Sequence, residues 1–251
     1  MFDLEGHTAL VTGGAGALGS AVCKALASRG ARVAVADTRG EAAARVAQGL
    51  GSGESIGVEV DVTDELSVLE AIDRTSESLG SVDIVVTTAG YGERVSFAEM
   101  KFAEWRSMFA VHVDGSFLAI RHTLPAMLRQ GWGRVIGFSS IASGMGVARQ
   151  SHYAASKGAI DGMVRSLARE VASQGVTVNA IAPGYFESPL NDGASPERLG
   201  SLRASVPAGR FGDPDEIGAL ALYLASPEAA YLTGQVISPN GGMVFCVHTG
   251  D

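Results

Sequence analysis

Short runs of β-branched and small apolar residues alternate with helical periodicity almost from end to end, and this alternation restricts the possible folds more than any other property of the chain. Strands are expected near residues 8–11, 32–36, 55–60, 82–87, 134–138, 177–181 and 235–237, with helices over 17–28, 40–50, 64–79, 105–128, 153–173 and 213–224. Strand–helix–strand units of this kind make a parallel sheet, since parallel neighbours need a crossover that a helix fills. The strands are nearly continuous in Val, Ile and Ala, as expected where helices cover both faces. Right-handed crossovers then predict an α/β doubly wound sheet of seven parallel strands.

No linker, low-complexity tract or short-period repeat divides the 251 residues, so a single domain over 1–251 is expected. The stretch 183–212, rich in Pro, Gly, Ser and Asn, follows a strand end, where open α/β sheets bind ligands; its part around 185–212 is a candidate substrate lid. A net charge of −8 argues against nucleic acid and anionic membranes, both of which would be repelled. The apolar run 217–225 stops before Pro227, far too short to span a bilayer, and residues 1–6 lack the pattern of a targeting signal. Cys23 and Cys246 provide neither a disulfide framework nor a metal site, so packed thiols in the cytoplasm are expected, with no metal.

The stretch TGGAGALG, Thr12 to Gly19, lies between the first strand and the first helix. Glycines there allow tight turns and close approach of a pyrophosphate, which the free N–H groups of the helix start would receive. It can be framed as GxGxxG through Gly14, Gly16 and Gly19, or as TGxxx(A/G)xG through Thr12, Gly13, Ala17 and Gly19. Asp37 ends the second strand, 18 residues after Gly19; an acid there accepts ribose hydroxyls and repels a 2′-phosphate, favouring NAD over NADP. Gly16 adds no cation to the loop, and Arg39 is the one basic side chain close by. Asp61 and Val62 follow the third strand, where an adenine would lie.

Tyr153 and Lys157 form YxxxK one helical turn apart on one face. Lowering a tyrosine pKa by roughly three units takes about 4 kcal/mol of preference for the phenolate, which a neighbouring ammonium and a nicotinamide cation would supply. The phenol then acts as a general acid/base. Ser140, 13 residues upstream at a strand end, would hold the substrate oxygen opposite it.

TGGAGALG, Asp61, the Ser140, Tyr153 and Lys157 spacing, PGYFES at Pro183 to Ser188, RFGDPDEI at Arg210 to Ile217 and TGQVISPNGG at Thr233 to Gly242 together resemble the short-chain dehydrogenases/reductases over essentially the whole chain. The resemblance implies a Rossmann-type domain transferring hydride between nicotinamide and an alcohol or ketone carbon, as an oxidoreductase acting on a secondary alcohol or its ketone. Tyr153 would move the proton, Ser140 orient the substrate, and Lys157 bind the nicotinamide ribose. Gly13, Gly16, Leu18, Gly19, Thr88, Ala89, Gly90, Pro183 and Gly184 would line the dinucleotide, with Phe186 and Ser188 at the carboxamide. A homotetramer packed through the helices around 105–128 and 153–173 is also implied.

Three departures stand out. TTAG at Thr87 to Gly90 replaces the usual NNAG, and Ser188 replaces a commoner threonine. His112, in VHVDGSF, takes the place of the asparagine that links the lysine to solvent; an imidazole there would make the proton relay pH-sensitive.

Met145 and Tyr185 are expected at an apolar substrate pocket, with Leu190 beyond. A 3-oxoacyl-[acyl-carrier-protein] reductase using NADPH is the alternative enzyme, against which Asp37, Gly16 and the acidic charge weigh. A catalytically idle nucleotide sensor is the alternative of another class, and an epimerase or dehydratase would usually require a longer chain.

Overall fold

The computed structural model describes residues 1–51, 54–188 and 195–244. Seven parallel strands form one sheet in the order β3-β2-β1-β4-β5-β6-β7: β1 (Thr8–Thr12), β2 (Arg32–Asp37), β3 (Ser55–Glu59), β4 (Ile84–Thr87), β5 (Gly133–Phe138), β6 (Val176–Ile181) and β7 (Val236–Ile237). The sheet is thus the doubly wound, Rossmann-type arrangement expected from the alternation. Its winding reverses between β1 and β4, which places the loops following those strands side by side at a topological switch point.

The helices are α1 (Ala17–Ala27), α2 (Gly40–Gly49), α3 (Glu65–Leu79), α4 (Phe102–Phe109), α5 (Gly115–Gln130), α6 (Ala142–Met145), α7 (Ser151–Val171), α8 (Pro196–Ala204) and α9 (Pro214–Ala225). Alternation within each strand divides the core into two layers. Leu10 and Val85 face α3, α5 and α7 through Val68, Ile72, Ile120, Ile160 and Val164. Ala9, Val11, Ile84 and Val86 face α1 and α9 through Val22, Leu26, Ile217 and Leu224. Cys23 is fully buried in this second layer, where loss of hydration pushes its thiol pKa far up, as a packed thiol requires. Cys246 lies outside the described residues.

The single helix expected over 105–128 is instead α4 and α5 joined by a π-helical turn, Ala110–Asp114. Helix α8 interrupts the segment expected to lack periodicity; Ser195 caps it by accepting the Arg198 N–H, with Pro196 in the first turn. Residues 189–194 of the candidate lid, Leu190 included, lie outside the described residues. No helix among the described residues is long and apolar enough to cross a membrane.

Candidate active site

The loop after β1 ranks its glycines sterically. Gly13 has φ +67°, and a Cβ there would lie 2.7 Å from the Ala89 backbone. A Cβ on Gly19 would collide with the Gly13 carbonyl oxygen and come within 2.8 Å of Thr88 Oγ1, whereas one on Gly16 would meet only the Gly13 carbonyl, at 3.2 Å. Gly14 is also closed, since a Cβ there would lie 2.8 Å from Val35 Cγ1 and 2.9 Å from the Val11 carbonyl, so Gly16, the middle glycine of GxGxxG, is the one of the four that the turn least requires. Thr88 closes the other side: its hydroxyl and N–H both donate to the Thr12 carbonyl, at 2.6 and 3.1 Å. This hydroxyl bond braces the loop where NNAG would place amides, while the buried Thr87 hydroxyl has no partner among the described residues.

These loops open a cleft of about 600 Å³ along the carboxyl ends of the strands. Every residue expected at the dinucleotide lines it: Gly13, Gly16, Leu18, Gly19, Asp37, Asp61, Val62, Thr88, Ala89, Gly90, Tyr153, Lys157, Pro183, Gly184, Phe186 and Ser188, together with Ser140 and His112. Two expected substrate residues do not. Tyr185 lines a separate cavity of about 170 Å³ and lies edge-on to Phe211, and Met145 at the end of α6 is exposed to solvent. Phe186 borders both cavities and bridges to Gly212, where a side chain would strike its ring. Tyr91, exposed at the mouth of the cleft, lines it as well.

At the inner end α7 presents Tyr153 and Lys157 toward the end of β5. The Lys157 ammonium donates to the Phe138 carbonyl at 2.8 Å and sits 5.7 Å from the Tyr153 ring centroid. Burial lowers its pKa to about 8, against a smaller upward pull from Asp161. The Tyr153 pKa is raised rather than lowered, because loss of hydration outweighs the downward effect of the Ser140 hydroxyl beside it. The expected activation of the phenol is thus not built into the protein side chains alone. Ser140 Oγ accepts the Ala142 N–H at 3.2 Å, which fixes it at the start of the turn leading to α6.

His112 sits in the π-helical turn, 1% exposed, between two aromatic rings, Tyr91 and Tyr153. Its Nε2 accepts the Tyr91 N–H at 3.0 Å, so the ring proton resides on Nδ1 and is donated to Ser156 Oγ at 2.9 Å; Ser156 in turn donates to the Tyr153 carbonyl at 2.8 Å. Burial first, then the Lys157 charge, lowers its pKa to about 3. A pH-sensitive relay through His112 is therefore corrected: the imidazole stays neutral in mildly acidic solution, with both nitrogens occupied. It ties the loop after Gly90 to the backbone of Tyr153. Position 90 must be glycine in consequence, since a Cβ would lie 2.8 Å from His112 Nε2.

At the outer end Asp37 closes β2, and its carboxylate accepts the Ala15 N–H as well as the Arg39 backbone and guanidinium. Asp61 holds Thr63 through its N–H and hydroxyl. Three features fit a nicotinamide dinucleotide: the glycine turn that a side chain would fill, the cleft volume of about 600 Å³, and a lining that includes both an acid after β2 and the Tyr–Lys pair.

A sheet wound in this order, with this turn and this pair along one cleft, defines a class of oxidoreductase: the chain belongs to the short-chain dehydrogenase/reductase family. A family model described as enoyl-(acyl carrier protein) reductase matches residues 13–244. Among its relatives, the 3-oxoacyl-[acyl-carrier-protein] reductase FabG of Vibrio cholerae is 39% identical over 241 residues, 96% of this chain and 98% of that one. Its Escherichia coli counterpart is 37% identical over the same shares. Among solved structures, one provisionally described as a gluconate dehydrogenase from Agrobacterium tumefaciens superposes with a TM-score of 0.91, at 34% identity over 96% of this chain and 97% of that one.

Proposed function

We propose that this protein transfers hydride between a nicotinamide dinucleotide and the 3-oxo or 3-hydroxy carbon of an acyl thioester. The observation that carries the reading is the meeting of Ser140, Tyr153 and Lys157 at the inner end of the cleft. The names of the relatives choose the substrate: the sequence places a free alcohol or ketone first, but relatives 37–39% identical over nearly their full length are described as 3-oxoacyl reductases. NAD is the preferred nucleotide, because Asp37 stands at the adenosine end.

The bound nucleotide would supply or take up the hydride, and in its oxidised form the nicotinamide cation would add to the charge of Lys157. Ser140 Oγ holds the substrate oxygen. Tyr153 donates its phenolic proton to that oxygen in reduction and removes it in oxidation. Lys157 keeps an ammonium beside the phenol. His112 acts as a positioning residue, holding the Gly90–Tyr91 turn against the Tyr153 backbone.

A free polyhydroxy acid or other secondary alcohol is the second reading, favoured by Asp37 and by the structural neighbour. Rates with NADH and NADPH on acetoacetyl thioesters, carried on a carrier protein and on coenzyme A, should be compared with NAD- and NADP-linked oxidation of secondary alcohols and sugar acids. The expected result is the highest kcat/KM for thioester reduction with NADH. Turnover confined to free alcohols would establish the second reading, and nucleotide binding without turnover the sensor.

In the same reading the protein is a cytoplasmic homotetramer. Phe102 on α4 and Phe117 on α5 are exposed, and Cβ atoms at Gly158 and Gly162 on α7 would meet open space, leaving room for close helix docking. Light scattering on the eluting protein should give four times the chain mass.

A further inference from the structure

We propose that Asp161 is a positioning residue for the proton transfer: its buried carboxylate keeps the Lys157 side chain an ammonium beside the Tyr153 phenol. The inference rests on the reaction proposed above and adds to it a residue that lies outside the lining of the cleft.

Lys157, Ile160, Asp161, Val164 and Ala168 are buried and spaced three and four apart, so they form one stripe of α7. The stripe is pressed onto β5, where a Cβ at Gly137 would lie 3.1 Å from Ile160 Cγ2 and 3.4 Å from Val164 Cγ2. Asp161 is 8% exposed, and its Oδ1, closed off from solvent, has no hydrogen-bond partner among the described residues. A carboxylate in such a layer is costly unless a cation lies near. Side chains four apart on a helix have Cβ atoms about 5–6 Å from each other. Each also leans toward the helix N-terminus, which carries the Asp161 carboxylate over the turn of Lys157.

Lys157 has the matching need. It is 6% exposed, its ammonium donates to the neutral Phe138 carbonyl, and burial works against its charge. Asp161 is the group that works the other way. Among the described residues no other acid shares the buried stripe. Of the elements packed against α7, β6 and α6 carry no charged side chain, and β5 carries Arg134 at its far end, bonded to the Gly133 carbonyl. The π-helical turn brings neutral His112 and exposed Asp114, and α4 brings exposed Arg106 and Glu104, whose carboxylate accepts the Lys101 N–H. α5 sets His122 against Glu65 of α3. On α7 itself His152 is buried in the first turn and Arg165 is exposed.

Asp161 acts through its charge and takes no proton. In reduction the hydride reaches the substrate carbon, the Tyr153 O–H bond breaks and its proton bonds to the substrate oxygen; the phenolate left behind faces the Lys157 ammonium. Without the anion at position 161 the ammonium gives up its proton at lower pH, and the phenolate then faces a neutral amine. With Lys157 already brought down to about 8, little margin remains. A further fall of about one unit would leave roughly half of the molecules with a neutral amine at neutral pH. Asp161 therefore holds the Tyr153–Lys157 pair in the charge state that the reaction uses.

Lys24, Lys101 and Lys157 are the three lysines of the chain, so lysine isotopically labelled at Cε reports each ionisation separately by nuclear magnetic resonance. The Lys157 signal is identified by its loss in Lys157→Arg. The intact wild-type protein, Asp161→Asn and Asp161→Leu are titrated; leucine suits an apolar layer and keeps the test open if the amide variant does not fold. Lys157 should titrate lower by about one unit or more in each variant. The alkaline fall in the rate of acetoacetyl thioester reduction should move to lower pH with it, while the exposed Lys24 and Lys101 titrate alike in all three proteins. An unshifted Lys157 in a folded variant, or a rate profile that stays in place while the lysine moves, would overturn the positioning role. A shifted Lys157 in a protein that reduces no thioester and oxidises no alcohol would support the hold of Asp161 on the lysine and overturn the proposed reaction instead.

Discussion

The two ends of the cleft hold their titratable side chains under opposite conditions. At the inner end Lys157 and His112 are buried, their hydrogen bonds run to backbone groups and the Ser156 hydroxyl, and burial holds their pKa values at about 8 and about 3. At the outer end the Arg39 side chain is open to water while it pairs with Asp37 at 3.0 Å. The contrast follows from position in the fold. The inner end is walled by α7, the π-helical turn and β5, which remove water and make each orphaned polar atom costly. The outer end lies on the loops of β2 and β3, where solvent screens charge. The Tyr–Lys end is thus held in one geometry out of water, while the other end keeps an exposed cation beside its acid.

The steric frame joining the two ends gives the largest expected effect. Gly19→Ala sets a methyl against the Gly13 carbonyl, and Gly13→Ala adds left-handed backbone strain to contact with Ala89. Each should cost about 1–3 kcal/mol of stability and abolish measurable NAD binding, followed by denaturant unfolding and calorimetry. Removal of the inner tether comes next. His112→Ala removes the acceptor of the Tyr91 N–H and the donor to the Ser156 hydroxyl, at about 1–3 kcal/mol. The Asn variant should recover part of this, as seen in unfolding midpoints.

A subtler test uses pH. His112 has an ordinary pKa of about 6.5 when unfolded and about 3 when folded. Below pH 6.5 the unfolded chain therefore takes a proton that the folded one refuses. Stability present above that pH is lost as pH falls toward 3, at up to about 1.4 kcal/mol per unit. His112→Asn should flatten that fall, while its profile of rate against pH between mildly acidic and neutral values should superimpose on the wild type in shape. A wild-type inflection near the ordinary histidine pKa, absent from the variant, would restore the relay. The smallest effect is expected for Gly16→Ala, whose methyl meets a single carbonyl at 3.2 Å; nucleotide affinity should change by less than about threefold, below the scale of one ordinary hydrogen bond.

Much of this was legible in the sequence because backbone periodicity carried it. Continuous Val, Ile and Ala runs marked all seven strands, and most of the cleft residues follow strand ends, with Tyr153 and Lys157 added by α7. The π-helical turn was not legible, since apolar periodicity runs through 105–128 without Gly or Pro before Gly115 to mark the break. Helix α8 was missed although Ser195, Pro196 and Glu197 carry a start signal; Gly200 and a polar surface hid it. The direction of the Tyr153 shift depends on burial, which YxxxK spacing does not reveal. The clasp of Arg39 on Asp37 depends on the backbone of a two-residue turn, and the displacement of Tyr185 into the smaller cavity on the packing of Phe211 and Gly212. Side-chain ionisation and loop direction are tertiary properties, and these are where the sequence said least.

The account rests most heavily on Tyr153 as the proton donor at the buried end. Single-turnover oxidation of enzyme-bound NADH by an acetoacetyl thioester, followed by nicotinamide absorbance in wild type and Tyr153→Phe, tests it directly. The expected result is a rate lower by about 10²–10⁴ in the variant with an unchanged Kd for NADH. Equal rates in the two proteins would contradict the assignment.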